Sequence, residues 1–222
     1  MTSARTTPIR FSDRVEAGEF LAAALTTYSQ DPNVLVLGLL RGGVPVAAET
    51  ARILGVEVDA LAVRRLVVPE RSDVSFAALA SYGQNTSLQY VKRIWGPTQE
   101  KFSAEILAAV EAQAREELAE LQERLIGEIV LPVSGRTVIL VDDGAASGAS
   151  MLAAIDAVRA AGPKRVIVAL PVAPTSARAD LSDSADEFIS IISPKVFNTV
   201  SAFYSRFDSV SDKEIIALIP HL

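Results

Sequence analysis

Two adjacent carboxylates, Asp142 and Asp143, directly follow the apolar run Val138-Ile139-Leu140-Val141 and precede a loop of small residues, Gly144-Ala145-Ala146-Ser147-Gly148-Ala149-Ser150. Three of the four apolar residues are β-branched, which fits a parallel strand buried on both faces and sets both acids at its carboxyl end. Ligands of open α/β sheets bind at that end. No side chain of the loop is larger than a hydroxymethyl, so a phosphate could lie against backbone N–H groups and the N-terminus of the next helix. Carboxylates that accept hydrogen bonds from hydroxyls, beside a cradle for an anion, suit a sugar phosphate. Other glycine-loop chemistries fit less well. A Walker A loop needs Lys after its last glycine, and Gly144 and Gly148 do not match G-x-G-x-x-G.

Strand and helix patterns alternate around this run. Leu21, Ala24, Leu25 and Tyr28 share one helical face, which predicts a helix over residues 13–29 with Asp13 and Glu16 as a capping box. A buried strand over 34–40 leads through Arg41-Gly42-Gly43 to a helix with Pro45 in its first turn and Gly55 past its end. A second strand spans 58–66, followed by a polar stretch at 68–73 and a short hairpin within 74–91. One long helix is expected over 98–125, since Ala114, Leu118, Leu121 and Leu125 share a face and Glu111 with Arg115 and Glu120 with Arg124 form i,i+4 pairs. Residues 148–161 read as a helix stopped at Gly162-Pro163, with Met151, Leu152, Ile155 and Val158 toward the sheet. Strands at 165–172 and 187–193 follow. A last helix starts at Ser211, with Ser211 and Glu214 as capping box and Val210 with Ile215 as hydrophobic staple. The alternation predicts an α/β fold with a doubly wound, mainly parallel central sheet flanked by helices.

Bulk properties narrow the function classes. With 222 residues and 50% hydrophobic content the chain can bury the core of one large domain. A formal net charge of -6 argues against a general nucleic-acid binder. Without cysteine there is neither disulfide nor thiolate chemistry, which fits a reducing cytoplasm. The N-terminal residues lack the apolar core of a signal peptide, and no run is long enough to span a bilayer. The expectation is a cytoplasmic protein without nucleic-acid or membrane partners. His221, the single histidine, sits beside the chain end and is assigned no role.

The run from Val138 to Ser150 resembles the phosphoribosyl pyrophosphate (PRPP) binding motif of the type I phosphoribosyltransferases. That motif is four apolar residues, two acids, two variable residues and Ala-Thr-Gly-Gly-Thr. Here Ala146-Ser147-Gly148-Ala149-Ser150 keeps both hydroxyls and the first glycine, and Ala149 replaces the second. Residues 40–55, LRGGVPVAAETARILG, resemble the family's pyrophosphate loop and following helix. RGGVPVA, a V-R-[KR]-L strand and a tail with Phe197, Val200, Tyr204, Phe207, Val210, Ser211, Asp212 and Glu214 resemble one bacterial subgroup.

The resemblance implies a single domain over 1–222. Its core would be about 30–67 and 130–193, its flap and long inserted helix about 68–129, and its hood would come from the terminal segments. It implies transfer of the 5-phosphoribosyl group from PRPP to a nucleobase-like or other nitrogen acceptor, with release of pyrophosphate, by a homodimer. The alternative is a catalytically silent PRPP-sensing protein. By the same resemblance, Asp142 and Asp143 bind the ribose hydroxyls and help place Mg²⁺, while Gly144, Ala145, Ala146, Ser147, Gly148, Ala149 and Ser150 wrap the 5'-phosphate. Arg41, Gly42 and Gly43 hold the pyrophosphate. Arg64 and Arg65 add charge there, and because strand neighbours point to opposite faces, Arg65 is the one expected to reach the site. The flap corresponds to LVVPERSD, with Val67 and Ala77 where glycine is expected. Phe197, Tyr204 and Phe207 are candidate stacking faces for an acceptor. Ala146 stands where the family's 6-oxopurine enzymes carry Asp, which counts against guanine and hypoxanthine.

Overall fold

The computed structural model describes residues 10–127 and 130–219; His221 and the first nine residues lie outside them. Seven strands form one sheet: β1 (Val34–Leu39), β2 (Glu57–Val68), β3 (Arg71–Tyr82), β4 (Asn85–Tyr90), β5 (Thr137–Val141), β6 (Arg165–Val172) and β7 (Glu187–Ile192). Their order is β4-β3-β2-β1-β5-β6-β7. The five strands from β2 to β7 run parallel, and β3 and β4 add an antiparallel edge. From β1 the chain winds outward through β2 and later resumes on the other side of β1 at β5. The crevice at the carboxyl ends of β1 and β5 is therefore the topological switch point, where such sheets bind ligands.

The strand sequences explain the two buried faces. Leu35, Leu37, Val138, Leu140, Val166 and Val168 pack under helix α5 (Ala149–Arg159). Their strand neighbours Val34, Val36, Ile139, Val141, Ile167 and Ala169 pack under α1 (Arg14–Ala24) and α2 (Gly43–Leu54). Alternation along each strand thus feeds two cores, so the runs read as continuously apolar. A third core joins β2 and β3 to α4 (Ala104–Leu125) and to α7 (Asp212–Leu218), whose Val210 and Ile215 are both buried as the staple requires.

Several expectations change. The helix over 13–29 ends at Ala24, and Thr26–Tyr28 form a 3-10 turn, consistent with two stiff β-branched threonines in succession. Asp13 still caps it, accepting from the Val15 and Glu16 N–H groups, but Glu16 reaches back to the Ser12 N–H rather than to Asp13. The single helix over 98–125 is two: α3 (Lys92–Lys101) and α4, separated by Phe102 and Ser103, where the Ser103 hydroxyl accepts from the Ile106 N–H. Glu111 and Arg115 pair at 2.7 Å as expected, whereas Arg124 leaves Glu120 for Asp212 at 3.0 Å. The polar stretch 68–73 is the tip of a long β2–β3 hairpin rather than a loop, with Pro69 and Glu70 turning and register shifts on either side of Val67.

A helix absent from the sequence reading, α6 (Thr175–Ser184), carries only Ala177 and Leu181 as buried residues, too thin an apolar stripe to announce itself. Leu181 is fully buried and lies under Gly148 of the small-residue loop. Leu181→Ala should cost about 2–5 kcal/mol of stability, read by urea unfolding, because the emptied volume is walled by helix and loop backbone. Among the described residues no helix is long and apolar enough to cross a membrane.

Candidate functional site

At the switch point the two sequence motifs touch. A Cβ built on Gly43 would stand 2.6 Å from the Val141 carbonyl oxygen and 2.9 Å from the Asp142 Cα, and one on Gly42 would run into Asp143 Oδ2. Only glycine lets the loop after β1 lie flat on the acids after β5. The Leu40-Arg41 peptide at the head of this loop is cis.

Asp142 is half-buried, and its Oδ1 accepts from the Asp143 N–H at 2.8 Å. Burial raises its carboxyl well above the ordinary range, the charge of Asp143 raises it further, and Arg14 and Arg65 oppose. Burial also raises Asp143, against the pull of Arg14. Arg14 donates from Nε at 3.0 Å and from a terminal nitrogen at 2.8 Å, both to Asp143 Oδ2. The buried Tyr204 hydroxyl donates to the Asp143 carbonyl oxygen at 2.6 Å; burial and the negative charge of Asp143 push its pKa upward and keep it a protonated donor.

The loop from Gly144 to Ser150 meets the requirements of an anion cradle. Gly148, at a left-handed φ of 79°, is the N-cap of α5 and offers no capping side chain, so the first turn beyond Ala149 has no side-chain cap on its amides. The Ser147 hydroxyl accepts from Ala149 at 3.5 Å, and the Ala145 N–H is spent on Val172. Ala146, Ser147 and Ala149 form one end of a cleft of about 490 Å³, walled on one side by Lys92 and Arg93 and on the other by residues of α6. Lys92 and Arg93 carry no motif and were not anticipated.

The arginines divide. The Arg41 guanidinium is turned to the C-terminal helix, paired with Asp212 and donating to the Val210 carbonyl at 3.4 Å, while Arg124 holds the other oxygen of Asp212. The part of its loop that lies against the two acids is the Gly42-Gly43 backbone. Arg64 donates to Glu117 of α4 at 2.6 Å. Arg65, its strand neighbour, is exposed and lines a groove with Gln113 and Glu117 of α4, and its charge lowers the Asp142 carboxyl against burial.

Tyr204 does not offer an open face. It is 4% exposed and packs between Phe11 and Phe207, at ring separations of 5.5 and 5.0 Å. The cause is a pairing of the chain's two ends, in which Phe11 donates to the Phe203 carbonyl and accepts from the Ser205 N–H. Phe197 is half-buried and stacks on Phe203 at 5.8 Å. Arg14 is the main residue that sequence reasoning missed. Its signal was available: it is the first residue of α1, where the helix dipole disfavours a cation.

A family model described as a phosphoribosyl transferase domain matches residues 13–206. Two Mycobacterium tuberculosis proteins, provisionally named phosphoribosyl transferases, are each 37% identical over 94% of this chain. The chain spans 46% of the length of those relatives. The crystal structure of TT1426 from Thermus thermophilus superimposes with a TM-score of 0.72 at 37% identity, covering 95% of this chain and 98% of that one.

Proposed function

The chain belongs to the phosphoribosyl transferase domain family, and from that premise we propose that it moves the 5-phosphoribosyl group of PRPP to a nitrogen acceptor, releasing pyrophosphate. One observation carries this reading: two backbone cradles for anions, Gly42-Gly43 and the N-terminus of α5, flank two carboxylates at one switch point. PRPP has the matching order of groups, with a pyrophosphate and a 5'-phosphate at the ends and ribose hydroxyls between them.

In the reaction the C1–O bond to pyrophosphate breaks and its electron pair leaves with the pyrophosphate. The acceptor nitrogen's lone pair forms the new C1–N bond, and the nitrogen's proton passes to solvent or a base. Asp142 and Asp143 hold the ribose through its hydroxyls as C1 gains oxocarbenium character, and Arg65 adds positive charge for the departing anion. Asp142 and Asp143 would be the residues that help hold Mg²⁺, with substrate and water supplying its other oxygen ligands; among the described residues no cluster of three or more acids or histidines would hold it alone. When bound, Mg²⁺ would neutralise the developing charge on the leaving group. The acceptor is a nucleobase or related aromatic nitrogen compound, and Ala146 in place of an acid weighs against 6-oxopurines.

The test is pyrophosphate release from PRPP with Mg²⁺ and a panel of nitrogen bases. At least one acceptor should yield pyrophosphate in proportion to nucleotide formed. Tight PRPP binding with no acceptor turned over would replace this reading by that of a PRPP sensor.

A further inference from the structure

We propose that Arg14 is a positioning residue for Asp143, fixing that carboxylate so that one oxygen faces the ribose; this rests on the PRPP reading of the site. Every polar nitrogen of Arg14 is used. Nε and one terminal nitrogen converge on Asp143 Oδ2, and the other terminal nitrogen donates to the Asp208 carbonyl at 2.7 Å. The guanidinium plane lies over Phe207, 3.9 Å from the ring centroid, and both partners of the ion pair are 13% exposed. Phe207 also backs Tyr204, whose hydroxyl grips the main chain of Asp143. Asp143 is thus clamped through side chain and backbone by one aromatic-backed assembly drawn from both ends of the chain. Arg14 takes only Oδ2, and Oδ1 is the oxygen this clamp offers to a ligand hydroxyl.

The arrangement runs against stability in two ways. A cation begins a helix, where the dipole opposes it, and a largely desolvated ion pair gives back little of its dehydration cost. What it does specify is geometry. A planar guanidinium resting on an aromatic face fixes where Oδ2 sits, and the Tyr204 bond holds the Asp143 main chain, so the carboxylate is restrained at two points, whereas lysine would hold Oδ2 less directionally.

The test compares ligands that do and do not carry ribose. Arg14→Ala should raise the Kd for PRPP and for ribose 5-phosphate by about tenfold, the factor a charge-assisted hydrogen bond supplies, and leave that for inorganic pyrophosphate unchanged. Arg14→Lys should recover part of the loss. Asp143→Asn should act on the same two ligands, and the double variant should be no worse than the poorer single one. Pyrophosphate binding doubles as the check on folding, and Arg14→Lys serves if the alanine variant is unstable. Unchanged ribose-ligand affinity, additive losses, or equal weakening of pyrophosphate would each overturn the assignment while leaving the PRPP reading intact. A wild-type protein that binds neither ribose ligand would overturn both.

Discussion

Asp142→Asn is expected to raise the melting temperature of the ligand-free protein at pH 7 while lowering pyrophosphate release at least about a hundredfold, a loss typical of removing a charged group from the reacting centre. The sign follows from linkage. Burial, then the neighbouring charge of Asp143, lifts the Asp142 carboxyl above its ordinary value of 3.8 when the chain folds. A carboxyl lifted by folding lends its full stabilisation below the unfolded pKa and loses it as pH rises through the folded one. At pH 7 the ionised group therefore opposes folding. Asparagine removes the charge and keeps an oxygen for the Asp143 N–H, the bond that measures 2.8 Å. Each kcal/mol so gained corresponds to about 2–4 °C in a domain of this size. Thermal melts in EDTA at several pH values check the claim, and the gain should shrink as pH falls toward 4. A melting temperature lowered equally at pH 7 and pH 4 would refute it. Asp143→Asn should gain less at pH 7, since there burial is opposed by Arg14, whose 13%-exposed guanidinium loses its partner. Two adjacent acids, alike in sequence, thus differ in what they do to the fold.

That difference marks the boundary of what the sequence carries. The buried runs at Val34–Leu39 and Thr137–Val141, the acids behind the second and the glycines behind the first are encoded by neighbours in the chain, and the structure has each where periodicity set it. The partners of the site's charges are not local. Arg14 meets Asp143 across 129 residues and Arg41 meets Asp212 across 171, so no window of sequence reveals either pair. Tyr204 fails for the same reason: whether its ring is open depends on Phe11, at the other end of the chain. Elsewhere the local signal was present but ambiguous. The helix break at Ser103 falls between two stretches of good helix formers, and its clearest mark is a capping hydroxyl. The polar tip of the β2–β3 hairpin reads as loop because Glu70 to Asp73 are all exposed, so alternation there records no buried face.

Gly43→Val should abolish detectable PRPP binding, a loss of more than about a hundredfold, because misplacing a site by an ångström already costs that much. The added Cβ would sit 2.6 Å from the Val141 carbonyl oxygen and 2.9 Å from the Asp142 Cα. Both are backbone atoms, so no side-chain rotation relieves the clash. Nor can the strands separate. Gly38 and Val141 are ladder partners in the β1–β5 pairing just below, and pushing the loops apart would strain that parallel ladder. The relief left is a shift of the loop after β1 away from the acids, which breaks the contact between the two cradles on which the site depends. The cost to stability should be about 1–3 kcal/mol, the usual range for overpacking, with Gly43→Ala smaller in the same direction. Gly96 in α3 is the matched control: a Cβ there meets nothing within 4 Å beyond its chain neighbours, so Gly96→Ala should leave PRPP binding alone and change stability by less than about 1 kcal/mol, helix propensity being opposed by the Pro97 ring that follows. Isothermal titration with PRPP and Mg²⁺, beside urea unfolding of all three variants, separates loss of the site from loss of the fold. Wild-type affinity in the valine variant would mean that the two loops do not act as one site.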